Sequence, residues 1–149
     1  QHLFMPRGFE GEWEIKAGKN LHYELSVITT YRADSNKVVK KLPAVDISPS
    51  TLSGIQIHFD ENGLYREVIH SGVELEILLE AEKPKDIQIK TSEERLINIL
   101  SGQLILTDKD NIEHSFYTGD FLVLPNDFEG NWKSEGHGLV KYLVVRMSK

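Results

Sequence analysis

The chain has 149 residues, of which 40% are hydrophobic and 27% charged, and a net charge of −6 at neutral pH. That length fits one domain with a real core, the composition does not fit wholesale disorder, and the acidic balance speaks against a nucleic-acid or anionic-membrane surface. Without a single cysteine, neither a disulfide frame nor a thiolate metal site can be built. The longest apolar runs, EILLEA and FLVLP, are far too short to span a bilayer. No basic segment followed by an apolar one opens the sequence, so the expected location is cytoplasmic.

Along the chain, residues 1–30 form an arm that carries MPRGFEGEW. Residues 28–53 are polar, hold two of the five prolines and show little alternation, which predicts a linker or a long wrapping connection. From residue 54 the rhythm changes. GIQIHF puts Ile55, Ile57 and Phe59 on one face, DENG at 60–63 reads as a turn, and LYREVI follows. VELEILL alternates Val73, Leu75, Ile77 and Leu79 against Glu74 and Glu76. DIQIK, RLINIL, QLILT, EHSFY, DFLVLP and VKYLVV come next, separated by TSEE, SG, DKDN and TG. About nine strands are predicted, with no stretch of useful helical period. Leu96 and Leu100 oppose Ile97 and Ile99 on the same strand, so both faces are apolar. This predicts an all-β fold, with stacked sheets or a small barrel whose wall is covered by another segment or a partner.

The arm repeats a later part of the chain. MPRGFEGEW at 5–13 returns as LPNDFEGNW at 124–132. An ungapped shift of 119 residues places Leu3, Pro6, Phe9, Glu10, Gly11, Trp13 and Tyr23 on Leu122, Pro125, Phe128, Glu129, Gly130, Trp132 and Tyr142. A fixed offset of this kind marks an internal repeat. Three explanations stand: a fragment of a tandem two-domain protein, a relic arm packed on the surviving domain, or a coincidental aromatic turn motif. The first is carried forward. It divides the chain into C-terminal strands of a truncated repeat (1–30), a linker (31–51) and a β domain (52–149).

RLINILSG at 95–102 has the shape of a strand ending in a tight glycine turn, and GDFLVLP at 119–125 shows Gly, five residues and Pro. These two motifs, with LPNDFEGNW and VKYLVV after them, resemble the cupin superfamily of double-stranded β-helix, jelly-roll barrels. Within it they are similar to the branch that includes ethanolamine-utilisation proteins, where Gly-x-Trp stands in the second motif. The resemblance implies a cupin barrel, with residues 1–25 as the tail of a preceding copy. Metal-dependent relatives carry His-x-His, a Glu and a later His. Here those four positions fall on Ile89, Thr91, Arg95 and Gly130. Such a set offers a first-row metal one hydroxyl and a repelling cation, so no metal and no other cofactor is expected.

The six histidines contain no i, i+2 or i, i+4 pair. Glu93 and Glu94, as sequence neighbours, read as a turn pair rather than an acid/base couple. In the register that the cupin resemblance implies, alternation puts Arg95, Ile97 and Ile99 on the interior face of their strand. A guanidinium there binds the carboxylate or phosphate of a small ligand, forms a salt bridge to an interior Glu, or reaches out through the barrel mouth. Trp132 and Tyr142 are candidates to stack on a ligand or donate to it, or else serve as an apolar plug. Tyr142 is similar in kind to the tyrosine of metal-free sugar-epimerising cupins, which needs a base beside it, and the sequence nominates none. The candidate ligand-binding set is Arg95, Trp132, Tyr142 and Thr91, with catalytic residues unassigned. The expected function is binding of a small molecule, an anion being the candidate, by a barrel without the standard metal site. The alternatives are a fragment of a two-cupin metal enzyme of aminohydrolase or isomerase type, and a structural dimerisation domain. A homodimer is expected, with neither nucleic acid nor membrane as partner.

Overall fold

In the computed structural model the described residues are 3–4, 10–12, 14, 40–41 and 58–147. Leu3–Phe4 (β1) pairs antiparallel with Lys40–Lys41 (β2). Apart from residues 10–12 and 14, the rest of the predicted arm and linker, including Trp13 and Tyr23, lies outside the described residues. The main body is made of Leu64–Ser71 (β3), Leu75–Glu82 (β4), Lys85–Lys90 (β5), Arg95–Ser101 (β6), Gln103–Asp108 (β7), Glu113–Tyr117 (β8), Phe121–Leu124 (β9), Glu129–Glu135 (β10) and Val140–Met147 (β11). They form a five-stranded sheet in the order β3-β4-β11-β6-β9 and a four-stranded sheet in the order β5-β10-β7-β8, antiparallel throughout. The described residues contain no helix long and apolar enough to cross a membrane.

Turn chemistry sets the registers. Asp60 Oδ1 accepts from the Asn62 and Leu64 amides, both at 2.9 Å, which closes the DENG turn. Asp108 Oδ1 repeats the device on Asp110 and Ile112 in DKDN. Between β6 and β7 stands Gly102 at φ +91°, where a Cβ would sit 2.8 Å from the Glu135 carbonyl oxygen. Only glycine meets both demands.

Pairing partners lie on the same face, so the interior of the five-stranded sheet can be taken as rows across it. The first row holds Glu76, Arg146, Arg95 and Leu124; the second Leu78, Val144, Ile97 and Leu122; the third Glu80, Tyr142 and Ile99; the fourth Glu82 and Val140. Leu104 and Leu106 of β7 join the core from the opposite sheet, with Trp132, Phe116 and Ile89 packed against it. The interior is thus charged at one end, apolar in the middle and polar again at the other end.

The structure adds three details to the expected strands. The apolar set of VELEILL, whose facing the alternation leaves open, points away from the barrel core: Leu78 packs there, so Glu76, Glu80 and Glu82 share its inward face. EGNWKSE, absent from the predicted strands, is the central strand β10 of its sheet, flanked by β5 and β7. Its inward residues Gly130, Trp132 and Ser134 include one large apolar side chain, which hides the period. The strand predicted at 54–59 has its first residues outside those described, while His58 and Phe59 are not in a strand.

Candidate functional site

At the end of β4 a carboxylate is buried where apolar side chains prevail. Glu82 is 2% exposed. Its Oε1 accepts from Trp132 Nε1 at 2.8 Å and from Tyr142 Oη at 2.9 Å. Its Oε2 takes Lys85 Nζ at 2.7 Å. Lys85 begins β5, and its amide donates to the buried Ser134 Oγ at 3.1 Å. Trp132 and Tyr142 meet edge to face, with centroids 5.6 Å apart. Two positions back on the same face, Glu80 is paired with Arg66 Nε at 2.8 Å. Burial, reinforced by the Glu82 charge and the bond to it, holds the Tyr142 phenol far above its usual 10. Tyr142 therefore stays a donor at any physiological pH. Chemically the cluster offers an acceptor-only carboxylate, a phenol donor, an indole face and an ammonium at the rim.

Arg95 lies at the opposite end. Its Nε and Nη2 both donate to Glu93 Oε1, at 3.0 and 2.7 Å. Arg146, across from Arg95 in the register, reaches the same oxygen with Nη1 at 3.3 Å and holds Glu76 Oε2 with Nε and Nη2 at 3.0 and 2.9 Å. Two guanidiniums and two carboxylates balance there. Burial alone would raise the Glu93 carboxyl, but the charge and bonds of Arg95, then of Arg146, outweigh it and hold it below its usual value.

Thr91 belongs to neither cluster. Its hydroxyl donates to the Pro125 carbonyl at 2.7 Å and accepts the Phe128 amide at 2.9 Å, which fastens the turn before β10. Among the predicted site residues, Trp132 and Tyr142 are brought together, and Arg95 and Thr91 stand apart from them. Sequence reasoning missed Glu82, Lys85 and Glu76. The signal for the acids was the alternation of Glu76, Leu78, Glu80 and Glu82, which looks like a solvent face until Leu78 is placed in the core.

The four positions that correspond to metal ligands do not fit a metal. Ile89 packs against the core, Thr91 is committed to its turn, and Arg95 is a cation. At Gly130 a Cβ would overlap the Thr107 carbonyl oxygen and press on the Phe128 ring, so no imidazole can stand there without moving β7. The described residues contain no group of three or more His, Asp or Glu side chains that could hold an ion.

Residues 78–142 match the family model of the EutQ-like cupin domain. The barrel has the cupin fold. Its solved neighbours include the EutQ protein of Clostridium difficile, at 11% identity and a TM-score of 0.52 over 64% of this chain and 82% of that one. The polyketide cyclase RemF from Streptomyces resistomycificus is similar at 11% identity and 0.53, over 65% and 76% of the two chains. A cupin-2 domain protein from Shewanella frigidimarina reaches 13% and 0.51, over 66% and 90%. At such identities the likeness speaks for the fold alone. No curated protein matches the sequence. The EutQ-like match spans the strands that carry Glu82, Trp132 and Tyr142, so the cupin core and the polar cluster are the same piece of chain.

Proposed function

We propose that this cupin binds a small polar organic molecule at the Trp132 end of its barrel. One observation carries the reading: Glu82, a nearly inaccessible carboxylate, is held by an indole, a phenol and a rim ammonium. A buried carboxylate costs several kcal/mol in desolvation before its partners offset it, on the order of what a well-packed apolar residue would avoid. Polar groups that converge in an apolar barrel are the usual makings of a ligand site. A ligand hydroxyl or amine would donate to Glu82 and lie against the Trp132 ring, with Tyr142 fixing the carboxylate. Arg95 and Thr91, both already bonded, take no part in this site.

The test uses the emission of Trp132 in a Trp13→Phe background, titrated with millimolar glucose, glycerol, diaminobutane and catechol. Saturable quenching by at least one probe, abolished in Glu82→Gln, is expected. If none of the four changes emission or melting temperature, the cluster is purely structural. A second reading is pairing of two copies through the outer face of the five-stranded sheet. It is favoured by Phe121, Val123 and Met147, which share that face and stand exposed. Sedimentation of Val123→Lys against the parent protein checks it, with loss of the dimer as the expected result.

A further inference from the structure

The charged end of the barrel carries a different message. Glu93 is not on a strand; it lies in the turn between β5 and β6. Its side chain nevertheless enters the row formed by Glu76, Arg146 and Arg95, where a single oxygen, Oε1, receives all three contacts from the two guanidiniums. The favoured pairing of guanidinium and carboxylate is a fork, with one oxygen for each N–H. Arg95 instead directs Nε and Nη2 at one atom. Glu76, on its strand, likewise receives Nε and Nη2 of Arg146 on one oxygen, so neither internal carboxylate gives its guanidinium the two-oxygen fork that a carboxylate free of the chain can supply.

We infer that Arg95 and Arg146 form a binding site for a small organic carboxylate, and that Glu93 is the protein's own occupant of it. The side chains concerned are 28% (Arg95), 20% (Arg146) and 12% (Glu93) exposed, so the cluster is in contact with solvent. Beneath them lies the apolar row of Leu78, Val144, Ile97 and Leu122, with Leu124 alongside, which gives a short carbon skeleton something to rest on. When Glu93 swings out with its turn, Glu76 still neutralises one guanidinium. One positive charge is left over, the amount a monoanionic group satisfies. The inference is independent of the Glu82 cluster, which lies at the other end of the same barrel.

Succinate is the probe, measured by calorimetry against the parent protein, Glu93→Gln and Arg95→Lys. Glu93→Gln removes the internal competitor and is expected to bind succinate about tenfold more tightly than the parent, the worth of one charge-assisted contact. Arg95→Lys keeps the charge but loses the fork, and binding weakens by a similar factor. In the parent protein, the ¹⁵Nε resonances of Arg95 and Arg146 shift with added succinate while the Trp132 indole resonance does not. That readout stands even if Glu93→Gln fails to fold. Equal affinity in Glu93→Gln and the parent, or silent arginine resonances, overturns the site. Phosphate binding as tightly as succinate overturns its assignment to carboxylates.

Discussion

The two ends of this barrel are both charged inside, and both charges are met, yet they are built in opposite ways. At the Glu82 end one deeply buried acid collects neutral donors, an indole and a phenol, and a single ammonium from the rim. At the Arg95 end the partners are ions that sit near solvent, and one of the acids comes from a turn. Burial decides what each arrangement is worth. An ion with almost no access to water cannot trade its partners for hydration, so its bonds are fixed. Pairs near the mouth have water as a ready alternative, so they contribute little and exchange easily. The first end is suited to presenting a rigid acceptor, the second to swapping one carboxylate for another.

The strongest test of that contrast is the same truncation at both acids. Glu82→Ala leaves Lys85, the Trp132 N–H and the Tyr142 hydroxyl without their shared acceptor. It is expected to cost about 3–4 kcal/mol in urea unfolding. Glu93→Ala removes contacts of similar length but is expected to cost about 1 kcal/mol or less. Equal losses at the two sites would erase the distinction between a fixed and an exchangeable end.

A smaller effect sharpens the role of Thr91. Thr91→Val keeps the shape but gives up the bridge from Pro125 to Phe128, with an expected loss of about 1–2 kcal/mol. Ligand-induced changes at either end should be unaffected. Close to it in size is Tyr142→Phe, which removes one of two Oε1 donors and should cost about 1 kcal/mol. If Tyr142 fixes the Glu82 carboxylate for a ligand, this variant also weakens the quenching of Trp132 by the same probe.

How far the sequence reached depends on which physical signal was available. Strand existence and turn positions were legible because Asp60, Gly102 and Asp108 act locally, within a few residues. The inward face of β6 came from the family register, because Leu96 and Leu100 make its other face apolar too and alternation alone does not choose between them. The facing of β4 was not legible: its outward face is more apolar than its inward one, with Ile77, Leu79 and Ala81 buried outside the barrel. Periodicity reports that two faces differ, not which of them meets the core. Trp132 and Tyr142 were found by their repeat and by family likeness, but their acceptor could not be, because Glu82 lies 50 residues from one and 60 from the other in sequence. Such pairings are properties of sheet register.

The smallest expected effect tests the exchangeable end by pH. Arg95, with Arg146 behind it, holds the folded Glu93 carboxyl below its ordinary value of 4.5, although burial alone would raise it. Unfolding returns the group to that value, so between the two values the unfolded chain binds more protons than the folded one. Stability from Glu93 is therefore complete above its unfolded value and is lost as pH falls through the folded one. Urea unfolding of the parent protein should lose stability more steeply below about pH 5 than that of Glu93→Gln, with the two curves converging at low pH. The separation at neutral pH should stay under about 1 kcal/mol, because the ions involved are partly open to solvent. Parallel curves would mean that the guanidiniums do not hold this carboxylate in solution, and the charged end would then be open rather than occupied.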